Sequence, residues 1–171
     1  QEDMAQTLFD AGITPDPQQI WQAGETLRQS LAEHLRDSWT TLYAAMAVDG
    51  PYMPDAAGAG HRALRARALA NLTRMDGGKL AQSQFDSADN MTEYLAAFAA
   101  LLSAGAADAA TGAFYQKWQD DRLVMDKWFA LQIMHALPED AADLAKSLTD
   151  HPDFDIRNPN RFRAVFGALA G

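Results

Sequence analysis

The sequence predicts an all-α protein built as an α-solenoid, a superhelical stack of antiparallel helix pairs, on three observations. Ala, Leu, Gln, Glu and Arg dominate while β-branched residues are scarce. Apolar residues nowhere alternate cleanly with polar ones over six positions, as half-buried strands would require. Short helical segments follow one another in pairs joined by tight turns, the grammar of stacked helical hairpins. No strict internal repeat accompanies them, so a fixed repeat class such as TPR is not indicated.

Element by element, Met4 to Phe9 reads as a helical turn or two. Asp16 then serves as N-cap with Pro17 in the first helical position. From there Ile20, Leu27, Leu31, Leu35, Leu42 and Met46 form one apolar stripe, which predicts a single helix of roughly 30 residues ending near Asp49-Gly50-Pro51. The Gly-, Pro- and Ala-rich stretch 50–60 reads as a loop. An Ala-rich helix follows from His61 to Met75, with Leu64, Ala68, Leu69 and Leu72 inward and Asp76-Gly77-Gly78 as its stop. Asn90-Met-Thr-Glu93 has the spacing of a capping box and opens a helix through Tyr94, Phe98 and Leu102. Further helices are expected at Ala107 to Gln119, Asp126 to Ala136 and Glu139 to Leu148. The last begins with Asn158 as N-cap and Pro159 behind it.

At 171 residues the chain has the size of a single helical domain, 1–171, able to bury roughly 70% of its unfolded surface. Its 14 basic against 23 acidic residues give a net charge of −9, which disfavours nucleic acid and anionic membranes as partners. Cysteine is absent, which excludes disulfides, thiolate metal sites and cysteine nucleophiles together. No apolar run approaches the roughly 18 residues of a membrane span. A cytoplasmic location is favoured over a periplasmic one, and Gln1, in place of Met, reads as a cut inside a longer protein.

The chemistry-bearing residues are few. His34, His61, His135 and His151 each lack a second His or Glu at helical ligand spacing, so no metal site is expected within this chain. Neither a nucleophile elbow nor a phosphate-binding or dinucleotide loop occurs. Trp118, Met125, Trp128, Phe129 and Leu131 could line a pocket, but packing between consecutive helices explains them better; Asp126 reads as the N-cap there, with Lys127 and Gln132 on the polar side. Arg62, Arg65, Arg67 and Arg74 on one helix read as a solvated or acid-paired face, with a docking face for another domain as the alternative.

The final helix carries more. With Pro159 first, Phe162, Val165, Phe166 and Leu169 make its buried stripe, and Arg161 and Arg163 flank that stripe on opposite sides. Both arginines fall near the positive end of the helix dipole, so an anion is expected beside them. Asp153 or Asp155 could supply it; alternatively, free backbone N–H groups with an arginine fork suit an external carboxylate, such as a peptide C-terminus.

Gln84-Phe-Asp-Ser-Ala-Asp-Asn-Met-Thr-Glu93, Lys117-Trp118, Leu123-Val-Met-Asp-Lys-Trp-Phe129, Asn158-Pro-Asn-Arg-Phe-Arg163 and the closing Gly167-Ala-Leu-Ala-Gly171 together resemble the C-terminal helical domain of bacterial aminopeptidase N. The resemblance is specific over about the last 90 residues. It implies a parent zinc metallopeptidase of four domains that removes N-terminal residues. In such proteins the His-Glu-x-x-His helix, a later glutamate ligand, a Gly-x-Met-Glu-Asn strand and a tyrosine for the oxyanion all lie upstream, so no residue here inherits a catalytic role.

The domain so implied closes over the active site and restricts entry to small, unfolded peptides. Its partners would be the catalytic domain of the same polypeptide and the peptide substrate. By position Arg163 matches an arginine of the family that faces the internal cavity near the substrate, and Arg161 shares its motif. The family pattern usually continues beyond Gly171 through further helices, and the isolated chain is therefore expected to self-associate weakly through an apolar end. The alternative function is a freestanding helical-repeat module that binds a partner protein.

Overall fold

The computed structural model describes residues 2–170; Gln1 and Gly171, the ends of the expected cut, lie outside the described residues. Helices run in chain order as α1 (Glu2–Asp10), α2 (Pro17–His34), α3 (Arg36–Ala45), α4 (Ala56–Asp76), α5 (Lys79–Ser87), α6 (Met91–Ser103), α7 (Asp108–Trp118), α8 (Arg122–Met134), α9 (Ala141–Thr149) and α10 (Pro159–Phe162). A π-helical turn, Arg163–Gly167, and a last α-helical turn, α11 (Ala168–Ala170), continue from α10. Among the described residues there is no strand, and no helix is long and apolar enough to cross a membrane.

Local capping chemistry accounts for several helix starts. The Asp16 carboxylate accepts from the backbone N–H of Gln18 at 2.9 Å and of Gln19 at 3.2 Å. The Asn90 side-chain oxygen accepts from the Glu93 N–H at 3.0 Å, and the Glu93 carboxylate turns back onto the Asn90 amide at 3.0 Å, a side-chain variant of the expected capping box. Asn158 caps α10 through the N–H groups of Asn160 at 3.0 Å and Arg161 at 3.5 Å.

The single long N-terminal helix is instead two. The chain leaves helical geometry at Leu35 (φ −106°, ψ 20°), with no Gly or Pro to announce it, and α2 and α3 each pack on α4. The predicted stripe therefore does not face one core. Leu27 is 60% exposed, Leu31 and Leu35 are exposed too, and Ala32 alone in α2 is buried. Polar contacts attach these helices to α4: Arg74 Nη1 donates to the Glu25 carboxylate at 2.8 Å, and Arg65 Nη1 donates to the Tyr43 carbonyl at 3.1 Å. Burial raises the Glu25 carboxyl, but Arg74 and then Arg28 outweigh it and hold the group below its ordinary value.

α4 begins five residues earlier than expected, because Asp55 accepts from the Gly58 N–H at 2.8 Å and pulls the Ala-Gly stretch into the helix. Gly58 leaves room there: a Cβ would stand 3.0 Å from the guanidinium of Arg62. Arg62 is buried, donates to the Met53 carbonyl at 3.1 Å and lies over the Tyr52 ring. Arg65 faces Glu93 at 3.4 Å. Of the four arginines of α4, only Arg67 is exposed, while Leu64, expected inward, points outward.

A helix absent from the sequence reading, α5, follows the Gly77-Gly78 stop. Gly78 is in the left-handed region and offers no side-chain cap, so the usual start signal is missing. Asp76 supplies it from upstream, accepting from the N–H of Gly78 and of Leu80, each at 2.9 Å. The core runs from α4 to the chain's last turns through Leu69, Phe85, Tyr94, Phe98, Phe114, Phe129 and Val165. Its aromatic spine includes Phe85 stacked on Tyr94 at 4.3 Å and Phe98 against Phe114 at 4.9 Å.

Candidate functional site

Two of the segments that carry the family resemblance, on α8 and at α10, converge in space. α8 starts at Arg122, capped by Asp121, whose carboxylate accepts from the N–H groups of Leu123 at 3.0 Å and Val124 at 3.1 Å. Asp126 is therefore not a cap. It sits one turn into α8 and points toward the end of the chain.

There it meets Arg161. The Arg161 Nε donates to Asp126 Oδ1 at 2.7 Å, and Nη1 donates to the backbone carbonyl of Asp153 at 2.5 Å. The flat face of the same guanidinium lies 4.5 Å from the centre of the Phe129 ring. Arg161 is only 4% exposed, so the positive charge expected to need an anion has found one inside the domain. That anion is Asp126, not Asp153 or Asp155. The Asp153 carboxylate stands beside Tyr115, whose phenol it holds above the ordinary range with help from burial, and Asp155 pairs with Arg157 at 3.1 Å.

The loop between α9 and α10 is held from two directions. His151 packs edge-on among Tyr115, Trp128 and Phe129, with ring centres 5.1 to 5.5 Å away, and its Nδ1 accepts from the Asp153 N–H at 3.2 Å. Arg161 then fixes the Asp153 carbonyl. The cluster Met125, Trp128 and Phe129 is buried core, with Trp118 and Leu131 partly buried against it, as packing predicts. Gln132, placed by sequence on a polar face, is buried and donates to the Trp128 carbonyl at 2.9 Å.

Arg163 differs from Arg161 in every respect. It is exposed, opens the π-helical turn, and makes no ion pair among the described residues. π-turns insert one residue into the helical repeat and recur at functional positions. The predicted stripe holds in its middle and not at its ends: Val165 is buried and Phe166 packs against the core, whereas Phe162 and Leu169 are exposed and Ala164 is buried in addition. The free backbone N–H groups considered as part of an anion site are taken by the Asn158 cap. What remains available to an external carboxylate is the Arg163 side chain.

The histidines lie apart, at the end of α2, on α4, after α8 and after α9. Among the described residues no three of His, Cys, Asp or Glu come together in a metal-binding group. Ser103 and His135 stand 2.8 Å apart beside a surface cavity of about 570 Å³, but the Ser103 hydroxyl also faces the Ala99 carbonyl at 3.0 Å, the usual back-bond of a helical serine. Sequence reasoning missed Asp126 as a partner. A signal was present, since Asp126 and Phe129 are three apart and so share one face of α8.

The sequence matches the family described as "Domain of unknown function (DUF3458_C) ARM repeats" over residues 1–171. It is 37% identical to aminopeptidase N of Caulobacter vibrioides over 95% of the chain and 19% of that protein. Identity is 35% to aminopeptidase N of Haemophilus influenzae, over 92% of the chain and 18% of the relative, and 34% to that of Escherichia coli, over 91% and 18%. The fold is similar to the crystal structure of Legionella pneumophila aminopeptidase A in complex with aspartic acid, with a TM-score of 0.79 and 27% identity over 91% of the chain and 20% of that structure. The chain thus spans about a fifth of the length of the relatives it matches. It belongs to the DUF3458_C family, the C-terminal helical domain of aminopeptidase N homologues.

Proposed function

We propose that this domain is the non-catalytic part of a zinc-dependent aminopeptidase, that it caps the active site to control peptide access, and that Arg163 contacts the substrate. The observation that carries the reading is the contrast between two arginines in one motif. Arg161 is consumed by internal partners, while Arg163 is exposed and offers a fork to an anion. A short peptide whose N-terminus is held at a distant catalytic centre presents one such anion, its own C-terminal carboxylate.

This chain's residues do not fit the zinc. No ligand set converges among the described residues, so the metal of the proposed enzyme would be held elsewhere in the polypeptide. The catalytic domain of the same polypeptide is the natural partner of the exposed apolar residues Met4, Phe9, Ile13, Leu27 and Leu31 at the α1–α2 end.

In the full-length aminopeptidase carrying this domain, Arg163→Ala should lower kcat/KM for a free-acid tripeptide about tenfold, a loss of about 1.4 kcal/mol. It should act chiefly through KM, because a contact remote from the scissile bond is made equally in ground and transition states. Hydrolysis of an aminoacyl amide lacking the carboxylate should change less than about twofold on the same argument. Equal losses on both substrates would reject the carboxylate contact.

A further inference from the structure

We propose that Asp126 and Arg161 are positioning residues for Arg163: their buried ion pair sets the direction in which the substrate-contacting side chain leaves the domain. The proposal rests on the reading of Arg163 given above and deepens it. It starts from what holds this segment. α10, the π-helical turn and α11 run on continuously over residues 159–170, and the later turns rest on α8 and α9 through Ala164 and Val165. The first turn, where Arg161 lies, is tied down by polar contacts.

Three such contacts tie it, and each uses a different part of one guanidinium. Nε is tied to Asp126 on α8, Nη1 to the Asp153 carbonyl in the preceding loop, and the flat face to Phe129, also on α8. Together they leave the group no free rotation. Arg163 follows two residues later, about 200° further around a helix, so anchoring Arg161 against α8 directs Arg163 away from it. The burial of Ala164 and Val165 against the core fixes the depth of the segment but carries no charge and sets no fork. Asp126 is thus the one residue on α8 whose charge specifies where the last turn begins.

The inference also explains why the two motif segments belong together: the Asp of Leu123-Val-Met-Asp-Lys-Trp-Phe129 is the partner of the first Arg of Asn158-Pro-Asn-Arg-Phe-Arg163. A lysine cannot replace Arg161, since a single ammonium lacks the rigid planar fork that meets all three partners.

The test uses the full-length aminopeptidase carrying this domain, with alanyl tripeptide free acid and its C-terminal amide as paired substrates. The readout is the ratio of their kcat/KM values. Asp126→Asn and Arg161→Lys should each lower that ratio roughly three- to fivefold through KM with kcat retained, and neither should lower it further when combined with Arg163→Ala. A Phe98→Leu variant, loosened in a distant part of the core, should lose thermal stability without moving the ratio.

If Arg163→Ala lowers the ratio while Asp126→Asn and Arg161→Lys do not, the positioning role is overturned and the reading of Arg163 stands. If Arg163→Ala itself leaves the ratio unchanged, both fall. A shift in the ratio with Phe98→Leu equal to that of Asp126→Asn would also overturn the proposal, because general loosening would then suffice. Should Asp126→Asn fail to fold, Arg161→Lys decides by the same criterion.

Discussion

Replacing Asp126 by Ala removes the carboxylate paired with the Arg161 guanidinium, which is 4% exposed. Breaking a buried pair by deleting one partner costs about 3–5 kcal/mol, because the surviving charge stays desolvated. Two contacts survive in this variant, the hydrogen bond to the Asp153 carbonyl and the face of Phe129, so the cost should sit near the low end, about 3 kcal/mol. In a chain of 171 residues that corresponds to a fall in Tm of roughly 6–12 °C.

Arg161→Met removes the charge itself and leaves Asp126, whose side chain is 17% exposed and reachable by water, at a cost of about 1 kcal/mol. The double variant Asp126→Ala/Arg161→Met should therefore be more stable than Asp126→Ala alone. Urea unfolding of the purified domain, followed by circular dichroism and tryptophan fluorescence with coincident transitions and constant m-values, measures all three. A loss below about 1 kcal/mol for Asp126→Ala, or a double variant as unstable as that single one, would refute the buried-charge argument.

Two further outcomes follow from particular residues. Gly78 has φ +90° and an added Cβ would stand 3.0 Å from the Ala106 Cβ, so Gly78→Ala should cost about 2–4 kcal/mol in urea unfolding, whereas Gly77→Ala, strained but unobstructed, should cost only about 1. Burial pushes the His135 imidazole below its ordinary 6.5, so the unfolded chain takes up a proton that the folded chain resists as pH falls through that value. Stability should decline over that window, and His135→Gln should flatten the decline; an unchanged pH profile in urea midpoints would contradict it.

What was legible in the sequence was local. Asp16, Asn90 and Asn158 act on N–H groups two or three residues away, and all three caps form as read. What was not legible depended on tertiary geometry. The break at Leu35 has no Gly or Pro signal, and both helices it separates pack on α4. α5 escaped because its cap, Asp76, sits on the far side of the two glycines that read as a stop. Asp121 caps α8, and reading Asp126 as the cap concealed its ion pair to Arg161. The stripe of the last helix held at Val165 and Phe166 but not at Leu169, which lies beyond a π-turn that a 3.6-residue repeat does not anticipate. The candidate site was thus half visible: the sequence pointed to both arginines, but only burial separates the one that is spent from the one that is free.

The most direct test of the central claim is a structure of the full-length polypeptide carrying this domain with a short free-acid peptide bound. The account predicts the Arg163 guanidinium within hydrogen-bonding distance of the peptide's C-terminal carboxylate, with Arg161 still on Asp126. Arg163 turned to bulk solvent outside the cavity, or paired with an acid of a neighbouring domain while the peptide carboxylate binds elsewhere, would contradict it.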